Sequence, residues 1–190
     1  MTRTTPPRLG SPAVSALRNS QSPSVESAHE HLAARRRVGL GAGVSVVFED
    51  RQTVWFRVQE LNRYGRGADV RRQLDWYERL MPGDGRVRAA VWLTARGPRA
   101  DDLRAVVGNG VLVLTSTVGH RVVGAYLTQK VTDRLIGLVG WVEFRFEADD
   151  RAALHDPLVG WRLSVEADGQ TVLAGEVDEG VLESLSADVG

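Results

Sequence analysis

Between Val44 and Leu61 the chain changes period. Val44, Val46 and Phe48 alternate with Ser45, Val47 and Glu49, the period-two spacing of a strand with one strongly apolar face. Beyond it the apolar positions recur at Val54, Val58 and Leu61, one side of a helix turned toward a core. Asp50 stands at the switch, where its carboxylate can accept from the free amides of the first helical turn. Trp55, Gln59 and Asn62 form the adjacent stripe, which sets an indole and two amides at the edge of the buried face. Glu60 lies between Arg57 and Arg63 at i−3 and i+3. An ion-pair ladder on a solvated face explains that spacing without a site, at ~0.3–0.5 kcal/mol per pair.

The rest of the pattern predicts alternating helices and hairpins. Ser24 caps a helix running to about Arg37, with Glu26 in its first turn and Arg35, Arg36 and Arg37 in its last, both matched to the helix dipole. A second helix spans roughly Ala68 to Met81, with Val70, Leu74, Tyr77 and Met81 on one face and Pro82 ending it. Pro82-Gly83-Asp84-Gly85 reads as a turn, too short for a phosphate-cradling loop. Val87 to Ala95 is a strand, and Pro98, Asp101 and Asp102 open a helix that stops at Gly108-Asn109-Gly110. Val111 to Val118 and Arg121 to Leu127 are β-rich and separated by Gly119-His120, a pair suited to a two-residue hairpin turn. The clearest alternation follows: Leu138, Val142, Phe144 and Phe146 face one way, Trp141, Glu143, Arg145 and Glu147 the other. A strand near Trp161 to Val165, a turn at Ala167-Asp168-Gly169-Gln170 and a helix from about Asp178 to Ala187 complete the order.

These elements predict an α+β fold, a largely antiparallel sheet covered on one face by helices, in a single domain over residues 24–190. Trp141, Glu143, Arg145 and Glu147 then lie on the open face, lining a groove or forming an ordinary cross-strand ion-pair surface. Residues 1–23, rich in Ser, Thr, Pro and Arg and without periodicity, are read as a disordered tail.

Composition narrows the function classes. The 190 residues fit one domain with a sizeable core, and 24 basic residues cancel 24 acidic ones. Neutrality argues against nucleic acid or an anionic membrane engaged through the whole surface. Cysteine is absent, which removes disulfides, thiolate catalysis and cysteine-ligated clusters. With no apolar run approaching ~18 residues and no signal-like core, a soluble cytoplasmic protein is expected. No cofactor is evident.

Histidine is the usual ligand or general base, and the chain has four. His29 and His31 point to different sides of the expected helix, a poor arrangement for one metal. His155 suits a helix end, where a dipole contact suffices. His120 is the best placed, since a hairpin tip can project it toward a groove, although an exposed turn histidine needs no role.

The segment Arg35-Arg36-Arg37-Val38-Gly39-Leu40-Gly41, the block from Phe48-Glu49-Asp50-Arg51 to Leu61, the turn Leu80-Met81-Pro82-Gly83 and the strand Ala89-Ala90-Val91-Trp92-Leu93 together resemble the bacterial domain-of-unknown-function 3501 family. The likeness spans roughly residues 25–188 and is densest between Arg35 and Pro82. Asp50 stands where that family usually has Asn, Arg57 where it has Gln and Leu61 where it has Met, and Thr128 to Arg134 replaces a more acidic loop. The family has no established activity. The resemblance implies a setting beside rubrerythrin-like and iron–sulfur oxidoreductase genes, hence a redox or iron–sulfur partner protein whose cluster is its own.

Two functional expectations follow. The first is a non-catalytic binding or accessory module acting through Glu49, Arg51, Trp55, Gln59 and Glu60, with His120, Trp141, Glu143 and Arg145 as secondary residues and Arg51 orienting Glu49 or Glu60. The second is a metal-binding protein or enzyme using Glu49, Glu60, Glu143 and His120, whose oxygen-rich donor set would suit iron or manganese.

Overall fold

The structure is a computed structural model that describes residues 32–64, 75–95, 97–127 and 137–190. Strands β1 (Arg37–Gly41) and β2 (Val44–Glu49) form a hairpin, and β2 runs into helix α1 (Arg51–Tyr64) at Asp50, where the sequence changes period. Then come β3 (Arg86–Leu93), α2 (Pro98–Asn109), β4 (Val111–Ser116), β5 (Arg121–Val123), β6 (Ala125–Tyr126), β7 (Leu138–Arg145), α3 (Ala148–His155), β8 (Trp161–Ala167), β9 (Gln170–Val177) and α4 (Glu179–Val189).

The fold is α+β, and its strands are divided between two antiparallel sheets. One has five strands in the order β1-β2-β3-β7-β6, the other four in the order β5-β4-β8-β9. Val46, Phe48, Val87, Ala89, Val142 and Phe144 of the first sheet share one core with Leu112, Leu114, Leu163 and Val165 of the second. Ala153 and Leu154 of α3 and Val181, Leu185 and Val189 of α4 join it. The sheets meet at both sides. At one, the chain passes from β5 to β6 through Gly124, where an added Cβ would sit 2.5 Å from Val142 Cγ1 and 2.9 Å from a Phe144 ring carbon. At the other, β9 packs on β1 so closely that a Cβ on Gly175 would lie 2.0 Å from the Gly39 carbonyl oxygen.

The five-stranded sheet is covered on its second face as well. Val54 of α1 packs with Leu80, Ala90, Leu138 and Trp141 in a separate cluster, with Trp76, Tyr77 and Met81 against it. The face expected to be open is therefore closed: Trp141 is 5% and Glu143 6% exposed. Arg145, nearer the strand end, and Glu147, beyond it, are the exposed members of the row.

Other differences have local causes. Residues 32–34 are helical and the chain turns at Arg35 and Arg36, so a helix does end at the basic triplet, but Arg36 is buried and Arg37 already belongs to β1; the start of the expected Ser24 helix, the tail, His29 and His31 lie outside the described residues. So does most of the expected helix from Ala68, of which residues 75–78 are seen as a helical turn, and so does the loop 128–136. The β4–β5 connection is four residues long, closed by Ser116 N–H to the His120 carbonyl at 2.9 Å. The segment expected as one strand from Arg121 to Leu127 is broken at Gly124 because it changes sheets. Strand β9, absent from the sequence reading, forms a hairpin with β8 through Asp168 and Gly169, both at positive φ.

On α1, Val54 and Val58 are buried as the heptad-like spacing predicts, with Thr53 and Phe56 beside them; the Leu61 side chain lies outside the described part. Val58→Ala is expected to cost ~1–3 kcal/mol in a denaturant titration. A loss within ~0.3 kcal/mol of zero would place this face of the helix outside the core.

Candidate functional site

The strand-to-helix turn is built by reciprocal bonds. Asp50 Oδ1 accepts from Thr53 N–H at 2.6 Å, Thr53 Oγ1 accepts from Asp50 N–H at 2.8 Å, and the Asp50 carbonyl accepts from Val54 N–H at 3.0 Å. Asp50 is thus the N-cap that the sequence predicts. Behind it lies Arg36, 3% exposed, whose Nε donates to the Phe48 carbonyl at 2.8 Å. Its Nη2 reaches the Glu49 carbonyl at 3.4 Å and pairs with Asp188 of α4; its Nη1 donates to Ser184 Oγ and stands 3.4 Å from Asp50 Oδ2. One buried guanidinium therefore ties the end of β2, the cap of α1 and the face of α4. Burial pushes the Asp188 carboxyl above its ordinary value; Arg36 pulls it down without cancelling that, and Asp50 adds to the rise.

Three clefts meet around this turn. One of about 280 Å³ lies over Arg36, Asp50, Gln52 and Ser184. A second of about 490 Å³ extends past Arg51 to Met81, Pro82 and Asp188. The third, about 510 Å³ and mostly apolar, is lined by Leu32, Val54, Trp55, Phe56 and Met81 along with Arg51 and Gln52. Gln52 borders all three. Trp55 and Phe56 meet edge to face, centroids 4.8 Å apart, at the apolar end. A groove with a charged end and an aromatic end is suited to an amphipathic group.

The predicted residues divide around it. Arg51 and Trp55 line the groove. Gln59 and Glu60 lie on α1, but their side chains are outside the described part. Glu49 is fully buried under the turn, and exposed Arg51 makes no side-chain bond to it among the described residues, so Arg51 does not orient Glu49. Glu49, Arg88 and Glu143 form one cross-strand row, with Arg88 between the two acids. Arg88 Nε and Nη2 donate to Glu143 Oε2 at 3.0 and 2.8 Å, Arg145 Nε donates to Oε1 at 2.8 Å, and Arg88 Nη1 holds the Met81 carbonyl. This row fastens the Met81 wall of the groove to the sheet. His120 is turned elsewhere: its Nδ1 is 3.0 Å from Asp150 Oδ1, and its ring lies near Trp161 with centroids 6.3 Å apart. Asp150 also takes part in the capping box of α3. Among the described residues no three His, Asp or Glu side chains come together as a metal site would require.

Arg36, Gln52, Met81, Arg88, Ser184 and Asp188 were missed from the sequence. For Arg88 a signal existed, since a cation set between Val87 and Ala89 well inside a strand has to be neutralised by neighbouring strands if its face is covered. For the others no local pattern carries the information.

Glu143 sets a pH expectation. Burial alone pushes its carboxyl up, but the Arg145 hydrogen bond and the Arg88 charge and hydrogen bond outweigh that and hold it below its ordinary value. The stabilisation is complete above the unfolded pKa and is lost as pH falls through the lower folded pKa. Glu143→Gln should therefore reduce stability at neutral pH and flatten the acid limb of the stability profile. An acid limb unchanged from wild type would remove Glu143 from that account.

The fold and groove define a small α+β protein with a surface cleft and no recognised catalytic constellation among the described residues. The chain belongs to the family described as protein of unknown function (DUF3501), whose model matches residues 16–189. No curated protein matches it. Among solved structures it is similar to a crystal structure, at 1.90 Å resolution, of a novel protein of unknown function from Burkholderia pseudomallei K96243, with 19% identity, a TM-score of 0.72 and all of both chains covered. That likeness concerns the fold.

Proposed function

We propose that the protein is a non-catalytic binding module that holds an amphipathic segment of a partner protein in the groove around the first turn of α1. The observation carrying this reading is that three clefts converge on Gln52, with Asp50 and Arg51 each lining two of them, charged at the Arg36 end and apolar at the Trp55 end. An apolar side chain of the partner packs on Trp55, Phe56 and Met81, and its polar groups bond to Gln52 and Arg51. The family resemblance puts a redox or iron–sulfur protein first among partners, in a cytoplasmic setting. The alternative metal or enzyme reading needs Glu49, Glu60, Glu143 and His120 in one ligand sphere; Arg88 separates Glu49 from Glu143, His120 is engaged with Asp150, and the Glu60 side chain lies outside the described part.

The groove is tested with the amphipathic fluorophore anilinonaphthalene sulfonate. Wild-type protein should bind it, and Trp55→Ala and Gln52→Ala should weaken binding by about tenfold while changing stability by no more than ~1 kcal/mol. Undiminished binding by Trp55→Ala, or no binding by the wild type, would remove the groove as the seat.

A further inference from the structure

The rim of the five-stranded sheet carries a charge arrangement that neither packing nor the groove explains. Arg86 opens β3, Arg145 ends β7, and the ladder sets them directly opposite each other. They lie on the face that carries Arg88 and Glu143, since Val87 and Phe144 between them point into the core. Like charges placed directly opposite destabilise a strand pair. One rung inward the same strands follow the ordinary rule, with Arg88 opposite Glu143 and bonded to it.

Glu143 serves only one member of the outer rung, Arg145, and among the described residues no carboxylate pairs with Arg86. The Arg86 side chain has neither a hydrogen bond nor an ion pair among the described residues. Asp84, two residues before it, is exposed in the tight turn and makes no ion pair with it. Glu147, two residues beyond Arg145, is committed to the capping box of α3. Arg145 is 65% exposed, and its Nε is fixed on Glu143 Oε1 at 2.8 Å. That bond anchors the base of the guanidinium and leaves Nη1 and Nη2 without a partner among the described residues.

We propose that Arg86 and Arg145 form a clamp for a phosphate group. Two arginines borne opposite one another on a single rung offer several charge-assisted donors to an oxyanion. Arg86, Arg88 and Arg145 stand against the two carboxylates Glu49 and Glu143, which leaves positive charge in excess at the outer rung, and a phosphate, with about −1.5 to −2 at neutral pH and more acceptor oxygens than a carboxylate, can accept from both outer arginines at once. Neither arginine lines any of the three clefts around α1, and the clamp does not depend on the function proposed for them.

The probe is inorganic phosphate, added to the full chain against chloride and against acetate at the same ionic strength. Phosphate should raise the wild-type melting temperature above both salts through mass action. Arg86→Gln should abolish that rise and weaken calorimetric phosphate binding by about tenfold or more. In chloride alone, Arg86→Gln should melt no lower than wild type, because it removes a repulsion rather than a contact. Absence of a phosphate effect in the wild type, an equal effect in Arg86→Gln, or a marked drop in melting for that variant in chloride would each overturn the proposal. An equal rise in acetate would overturn the preference for phosphate.

Discussion

Replacing Arg36 with alanine is expected to cost about 3–5 kcal/mol at pH 7, among the largest losses available to a single substitution here. The figure reflects what is left behind more than what the ion pairs contribute, since Asp188 and the Asp50 cap would share a buried site without a cation, and the Phe48 carbonyl would lose its 2.8 Å donor. The pH dependence gives a sharper test. The Asp188 carboxyl already stands above its ordinary value through burial, and removing Arg36 takes away the charge that pulls it down. A folded pKa above the unfolded one means that the folded state gains stability as pH falls through the folded value. The deficit of Arg36→Ala should therefore shrink on acidification toward the carboxylate range, and Arg36→Ala with Asp188→Ala should cost less than the sum of the two single changes. Denaturant titrations at neutral and mildly acid pH decide it. A neutral-pH loss under ~1 kcal/mol would mean that the guanidinium is solvated and the three elements are held by other contacts.

Gly175→Ala is expected to be nearly as damaging for a different reason. The added Cβ would lie 2.0 Å from the Gly39 carbonyl oxygen and 3.0 Å from its carbon, and both are backbone atoms of the neighbouring strand β1. No rotamer can relieve such a contact, so β1 or β9 has to shift where the two sheets close on each other. Overpacking costs ~1–3 kcal/mol when side chains can yield and more when they cannot. A loss of about 3 kcal/mol corresponds to a drop of about 6–12 °C in melting temperature for a domain of this size. Gly169→Ala is the control: it has positive φ but open space around it, and should show only the left-handed backbone cost of ~1–2 kcal/mol. Equal losses in the two variants would show that β1 and β9 are not in contact at Gly39.

The candidate site was only half legible along the chain. Arg51 and Trp55 do line the groove, because a strand end followed by a capped helix is a local pattern and its exposed edge follows from the helical period. Arg36 was misread. Three consecutive arginines after an apolar stretch look like a dipole match, and whether a guanidinium meets solvent or an aspartate 152 residues away is invisible locally. Glu143 was misplaced for a related reason. Alternation told correctly that it faces away from Phe144, but not that Trp76, Tyr77, Leu80 and Met81 would cover that second face. His120 was expected to project from a two-residue turn; the longer connection carries it back onto Asp150.

The sequence by itself determined the elements that depend on near neighbours. These are the period change at Asp50, the N-cap there, the last helix beginning near Asp178, the alternating strand through Val142 and Phe144, the α+β class and the family to which the chain belongs. Caps and periodicities are satisfied within a few residues, so their chemistry is written in the order of the chain. Only the tertiary structure decided that the strands form two sheets instead of one, that Arg36 is a buried tie rather than a solvated dipole match, and that Arg86 meets Arg145 across a ladder. Each of those depends on strand register and on which face another element covers, and both are settled by burial summed over residues far apart in the chain.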